Sequence, residues 1–267
     1  MLRNHTVIWC CLSLVIGLCF MGNASRLTAD DLADRFEARV FAAPNGYELK
    51  YRLLAPASIK RGEHYPVVLF LHGAGERGDD NAVQLVHVVK ELATDEMQQR
   101  YPCYVIVPQC PKEQKWVEVD WKLPSSQMPE TPSVPLAAVK ELLGNLHTAL
   151  PIDRNRIYVC GLSMGGYGTW DCIQRWPEQF AAAIPICGGG DPAYAQHFAQ
   201  IPVWVFHGDA DNAVNVNRSR EMVCKLRELG SDVIYTEYPG VGHDSWTVTA
   251  KNRLTWDWLF AQQKKEE

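Results

Sequence analysis

What the chain lacks narrows its function first. Its 267 residues hold 26 Lys and Arg against 31 Asp and Glu, a formal net charge of −5, and no basic block. A nucleic-acid partner needs clustered cations to neutralise phosphates, and that class is set aside. CxxC spacing and Cys/His clusters are missing too, so no metal or cofactor is expected. There is no internal repeat and no low-complexity linker. At 47% hydrophobic and 21% charged residues, the composition suits a globular chain with a sizeable core.

Long apolar runs are also scarce, with one exception at the start. Arg3 and His5 precede VIWCCLSLVIGLCFM, and the small residues Gly22, Asn23, Ala24 and Ser25 follow. A basic start, a short apolar stretch and a small-residue exit form the pattern of an export leader, expected over residues 1–24. Fifteen or so apolar residues fall short of the ~20 that a bilayer span needs, which favours cleavage over a retained anchor. The expectation is an exported protein with no stable membrane partner, whose residues 25–267 form a single domain. Of nine cysteines, Cys10, Cys11 and Cys19 belong to the leader. Cys103, Cys110, Cys160, Cys172, Cys187 and Cys224 remain, and their pairing stays open.

Beyond the leader the pattern is regular. TADDLADRFEARVF reads as a capped helix running into a strand, and GYELKYRLLAP returns after the turn Pro44-Asn45-Gly46 to make a hairpin. YPVVLFLHG is an apolar run too short for a helix and typical of a strand buried on both faces. Similar runs recur at CYVIVPQC, RIYVCG, FAAAIPIC, IPVWVFHG and DVIYTEYPG. Helical patterns separate them. PLAAVKELLGNLHTAL sets Leu136, Val139, Leu143, Leu146 and Leu150 on one stripe, VNRSREMVCKLRELG stops at Gly230, and WTVTAKNRLTWDWLFAQ closes the chain. Alternating strands and helices predict an α/β fold, a mostly parallel central sheet with helices on both faces. The one long irregular segment, PKEQKWVEVDWKLPSSQMPETPSVP, carries two tryptophans that favour a packed wall over a loose linker.

Four glycines crowd one serine in YVCGLSMGGYG. Gly161-Leu162-Ser163-Met164-Gly165 is G-x-S-x-G, with a strand before it and a helix after it. That arrangement places a serine on a strained strand-to-helix turn, where glycines remove side chains that would clash. A serine hydroxyl needs a base within hydrogen-bond reach and a group to orient that base. VFHGDADNAV offers Asp209 and Asp211; YPGVGHDSW offers His243. Asp209 sits beside Gly208, where a turn can use its carboxylate locally, so Asp211 is the preferred acid. The order Ser163, Asp211, His243 is that of α/β-hydrolases. After the strand LFL, His72-Gly73-Ala74-Gly75 suits an oxyanion loop, with the N–H groups of Ala74 and Met164 as donors and His72 as a brace. No Lys-Ser/Thr follows it, as a phosphate loop would require. Glu76, Arg77 and Asp79 suit either the rim of the pocket or a loop locked by ion pairing, with the structural use favoured. Trp116, Trp121 and Trp246 suit a substrate wall and core packing equally.

On HGAGERGDD, VPQCP, GLSMGGYGTW, PICGGGD, VFHGDADNAV and GVGHDSW, the chain resembles α/β-hydrolase esterases. The kind is phospholipase/carboxylesterase or prolyl-oligopeptidase-like, near dienelactone hydrolase and the feruloyl and acetyl-xylan esterases. The resemblance implies an α/β-hydrolase fold, a Ser163, Asp211, His243 triad, no cofactor and a small-molecule or polysaccharide-linked ester as substrate. Dienelactone hydrolases carry cysteine as nucleophile; the serine here points to ordinary ester hydrolysis. A peptidase of prolyl-oligopeptidase-like type and a non-catalytic binding protein on the same fold are the alternatives.

Overall fold

The computed structural model describes residues 28–125 and 127–264; the leader expected at 1–24 lies outside them. Strands β1 (Glu37–Ala42), β2 (Glu48–Leu54), β3 (Tyr65–Leu71), β4 (Tyr104–Pro108), β5 (Ile152–Leu162), β6 (Ala182–Ile186), β7 (Trp204–Gly208) and β8 (Ile234–Tyr238) form one sheet, ordered β1-β2-β4-β3-β5-β6-β7-β8. The helices are α1 (Ala29–Arg35), α2 (Val88–Leu92), α3 (Asp95–Arg100), α4 (Val134–Ala149), α5 (Met164–Arg175), α6 (Ala195–Phe198), α7 (Asn217–Glu228), α8 (Ser245–Lys251) and α9 (Arg253–Phe260). β1, β2 and β4 pair antiparallel, and every pair from β4 to β8 is parallel. This is the α/β-hydrolase architecture.

Period-two alternation in β3 divides the core. Val67, Leu69 and Leu71 face a layer built by α4, α5, α6 and α7, while Val68 and Phe70 face α1, α2, α3, α8 and α9. All five are at most 1% exposed, and burying each contributes about 1.5–3 kcal/mol. The helix ends are set by local chemistry. Thr28 and Asp31 cap α1 reciprocally: Thr28 Oγ1 accepts from the Asp31 N–H, and Asp31 Oδ2 accepts from the Thr28 N–H. Past α7, Gly230 adopts φ +75° while the Ser231 N–H reaches back to the Leu226 carbonyl, closing the helix as expected.

Two expectations need correction. β8 is not buried on both faces: it forms the edge of the sheet, and Ile234 is 38% exposed. The closing helix is two helices, because Asn252 leaves helical geometry at ψ 105° and its side chain caps the Leu254 N–H. Asn competes with the helical ladder through such local bonds.

Chain order explains where function can gather. β4 lies on one side of β3 and β5 on the other, so the crossover from β4 to β5 reverses the direction in which the chain adds strands. In parallel sheets the carboxyl ends of the strands at such a reversal leave a crevice. Leu71 and Gly161 are in register there, which brings the loop after β3 beside the turn after β5.

Candidate active site

The turn after β5 is sharp. Ser163 has φ 52° and ψ −118°, a conformation that L-residues seldom adopt, and its N–H donates to the Ile186 carbonyl at 2.9 Å. The neighbouring glycines are steric requirements. A Cβ on Gly165 would stand 1.9 Å from the Leu71 carbonyl oxygen; one on Gly161 would stand 2.2 Å from that of Gly165. On Gly166 it would lie 2.5 Å from the Ile186 oxygen. The helix therefore starts almost in contact with the sheet, and the serine is raised half-exposed above both.

Two later loops meet that serine. His243, after β8, places Nε2 at 2.9 Å from Ser163 Oγ and Nδ1 at 2.7 Å from Asp211 Oδ2. Asp211 Oδ1 accepts from the N–H groups of Ala213 and Val214 at 2.8 and 2.9 Å. His207 Nε2 adds a contact at 3.2 Å to Oδ2. Burial pushes the Asp211 carboxyl up, but the hydrogen bonds from His207, His243, Val214 and Ala213 outweigh it and hold the group well below the usual carboxylate range. Asp209 is turned elsewhere: its Oδ1 accepts the Gly240 N–H at 2.6 Å and ties the two loops together. Gly208 lets them approach, since a Cβ there would meet the Val241 oxygen at 2.2 Å.

The loop after β3 forms the other wall. A Cβ on Gly73 would lie 3.7 Å from Ser163 Cβ, so the loop that carries Ala74 runs close to the serine. Met164 opens α5, where the first N–H groups have no helical acceptor. The segment Gly73-Ala-Gly75-Glu-Arg-Gly78 has the G-x-G-x-x-G spacing of a dinucleotide cradle. It opens a three-residue 3-10 turn, Ala74–Glu76, and not the long helix that a pyrophosphate needs. Arg77 Nε donates to the Ala74 carbonyl at 2.9 Å, so it holds the loop through a backbone bond and not through the ion pairing expected of it.

His72 braces this loop from behind. Its Nε2 accepts the Cys110 N–H at 2.9 Å, so the ring proton sits on Nδ1 and is donated to the Gly73 carbonyl at 2.6 Å. Burial pulls the imidazole down to about 4, and it stays neutral. Trp116 is fully buried, with its indole N–H on the His72 carbonyl at 3.0 Å. It therefore offers no face to a ligand; of the two uses the sequence left open, it has the packed one. Trp121 is half-buried beneath the Lys115 ammonium, 5.0 Å from its ring centre. The long segment 109–133 is pinned: Ser133 Oγ donates to the Trp116 carbonyl, the buried Arg218 guanidinium to that of Asp120, and the Met128 N–H to Asp191 Oδ2.

Trp246 is placed differently. Its ring stands edge-on to His243 at 5.2 Å and tilted against His87 at 5.3 Å. His87 in turn faces the Glu76 carboxylate at 3.5 Å and holds φ 55°, ψ −121°, nearly the angles of Ser163. Sequence reasoning did not single out His87, and the available signal was weak: a histidine in the apolar surroundings of AVQLVHVV reads as packing. His207 was also passed over, though it stands four residues before Asp211 in the quoted stretch. Its Nδ1 meets Ser219 Oγ at 2.7 Å and its Nε2 the Val214 carbonyl at 3.0 Å, which fixes the ring against Asp211. Cys187 completes the surroundings. Its thiol, the Asp211 carboxylate and a His243 ring nitrogen all lie within 4.8 Å of one another.

The comparisons with known proteins agree with this architecture. A family model described as phospholipase/carboxylesterase matches residues 57–252. A solved structure of a thermostable esterase is 43% identical with a TM-score of 0.82, over 87% of this chain and 64% of that one. A probable carboxylesterase of Oryza sativa subsp. japonica is 25% identical over 247 residues, covering 84% of this chain and 89% of its own. An uncharacterized secreted protein of Arthroderma benhamiae is 26% identical over 242 residues, 78% of this chain but 25% of that protein. The chain thus spans less than two thirds of the solved esterase and a quarter of the fungal protein. With the matched segment running from before β3 to the end of α8, the chain belongs to the phospholipase/carboxylesterase family of α/β-hydrolases.

Proposed function

We propose that the protein hydrolyses carboxylic esters through an acyl-enzyme on Ser163. The observation that carries this reading is the continuous hydrogen-bonded line from Ser163 Oγ to His243 to Asp211, at 2.9 and 2.7 Å. Ser163 Oγ attacks the ester carbonyl while His243 Nε2 takes its proton. Asp211 holds the proton on Nδ1 and stabilises the imidazolium that forms. The Ala74 and Met164 N–H groups receive the oxyanion, and the helix end of α5 adds its positive pole. His243 then protonates the leaving alcohol, and water repeats the cycle to release the acid. Cys187 is a poor rival as nucleophile. It is fully buried, and burial pushes its thiol far up, whereas Ser163 is half-exposed.

The substrate class favoured is a short-chain or polysaccharide-linked acyl ester. Trp246 and His87 give the rim beside His243 an aromatic, polar-tipped character. The leader pattern supports export to the periplasm or medium. The test is hydrolysis of a p-nitrophenyl ester series and methyl ferulate by the wild type and Ser163→Ala. The expected result is short-chain activity that falls in the variant by on the order of 10⁶ in turnover. Equal rates in the two proteins, or no ester cleaved and no labelling of Ser163 by a fluorophosphonate, would sink the reading in favour of a binding role.

A further inference from the structure

The mechanism leaves one nucleophilic side chain unused beside the catalytic pair. Among the described residues, Cys187, Asp211 and His243 are the one group of three Cys, His, Asp or Glu side chains whose ligand atoms lie within 4.8 Å of one another. We propose that these three bind a thiophilic divalent cation, Zn²⁺ foremost, and that the bound ion switches the hydrolase off.

The donor set is what such a cation selects. One thiolate, one imidazole and one carboxylate suit zinc, which takes S, N and O ligands in tetrahedral sites; Mg²⁺ and Ca²⁺ require oxygen shells. Bond lengths of about 2.0–2.3 Å put tetrahedral ligand atoms roughly 3.3–3.6 Å apart. Closing on an ion would widen the 2.7 Å contact between His243 Nδ1 and Asp211 Oδ2 by less than about 1 Å. Charge balances as well. A dication with the Asp211 carboxylate and a Cys187 thiolate is neutral overall, which is the condition for burying ions at low cost. The Asp211 side chain is 0% exposed but that of His243 is 27% exposed, so entry is from the cleft, past the imidazole.

Cys187 holds φ +41° immediately before Gly188, Gly189 and Gly190. A side chain at that angle carries backbone strain, as Ser163 does across the cleft floor from it.

The exchange is balanced. The ion displaces the Cys187 thiol proton to solvent, and the imidazole proton moves from Nδ1 to Nε2 as Nδ1 turns its lone pair to the metal. Nε2 then carries a proton and cannot accept one from Ser163, so acylation stops. This consequence rests on the proposed role of His243; binding itself does not.

Two readouts separate those claims. Co²⁺ added to the full chain reports a thiolate ligand through thiolate-to-cobalt charge-transfer absorption, whatever the enzyme's activity. Zn²⁺ titrated into p-nitrophenyl acetate hydrolysis reports inhibition. The wild type is expected to show the absorption, to lose activity with Zn²⁺ and to regain it with a chelator. Mg²⁺ should have no effect. Cys187→Ala should lose the absorption, keep its basal rate and need at least about tenfold more Zn²⁺ for the same inhibition. Cys187→Gly, which suits φ +41°, serves if the alanine variant does not fold. Cys224→Ser removes the exposed thiol and should change nothing. Absorption that survives in both Cys187 variants, or Zn²⁺ inhibition equal in wild type and variant, overturns the site. Cys187-dependent absorption in a protein that cleaves no ester would keep the site and refute the esterase reading.

Discussion

His72 follows β3 and His243 follows β8, and each has a tryptophan edge-on to its ring at 5.2 Å. Their surroundings then diverge. His72 is 1% exposed and bonded on both nitrogens to backbone groups, the Cys110 N–H and the Gly73 carbonyl. His243 has its side chain 27% exposed and is bonded on both nitrogens to side chains, Ser163 and Asp211. A ring held by two fixed backbone partners can only brace, because any proton it gained would face the Cys110 N–H. A ring between a hydroxyl and a carboxylate can take a proton on one side and be stabilised from the other. The pair teaches that burial and the kind of partner, not residue type, separate a histidine that can only brace from one placed to exchange a proton.

The largest effect should come from removing the carboxylate that distinguishes His243. Asp211→Asn keeps the volume and the Ala213 and Val214 contacts within reach, yet no longer holds the Nδ1 proton or the imidazolium. Turnover on p-nitrophenyl acetate is expected to fall by on the order of 10⁴ with little change in KM. His207 Nε2, 3.2 Å from the same oxygen, offers a competing donor and does not replace the anion. A loss of less than about tenfold would mean that His243 is oriented by something other than Asp211.

His72 predicts a stability effect with a definite sign. Its folded value is depressed to about 4 from an ordinary 6.5, so the unfolded chain takes up the proton first as the solution is acidified. Stability from this group is complete above pH 6.5 and is lost as pH falls toward 4. Between about pH 7 and about pH 4.5 that loss is ~2–3 kcal/mol. Urea unfolding of the wild type and of His72→Asn at both values isolates it. The gap between the two proteins should narrow by that amount on acidification. An unchanged gap would remove the neutral brace from the account.

These two sites were not equally legible in the sequence. G-x-S-x-G between a strand and a helix, and the Ser, Asp, His order, pointed to Ser163, Asp211 and His243, and the fold brings those three side chains together. The preference for Asp211 over Asp209 rested on local turn chemistry, and Asp209 indeed caps the Gly240 N–H. β8 read as a buried strand because Val233, Ile234 and Tyr235 were grouped with the apolar runs, but edge position is a property of strand order that no single segment carries. The break at Asn252 lay in plain view as an Asn in a helical pattern, and its pull was underweighted. Glu76, His87 and Cys187 were invisible as a group, because their contacts to the site come from separate loops.

The tryptophans mark the smallest and most selective difference between the two histidine sites. Trp116 is fully buried and bonded to the His72 carbonyl, whereas Trp246 is half-buried and touches His243 and His87 through ring edges and faces. A residue on the rim of the cleft can change how an ester is held without changing what His243 does. Trp246→Ala is therefore expected to raise KM about three- to tenfold for aromatic esters such as methyl ferulate, on the order of 1 kcal/mol of aromatic contact. KM for p-nitrophenyl acetate and methyl acetate separates the aromatic leaving group from the acyl part. If KM for methyl acetate rises as much as for the aromatic esters while turnover falls, Trp246 positions the imidazole and belongs with Trp116 as a brace. If only the aromatic esters are affected and turnover holds, the rim formed by Trp246 and His87 selects substrate, and the two tryptophans differ as the two histidines do.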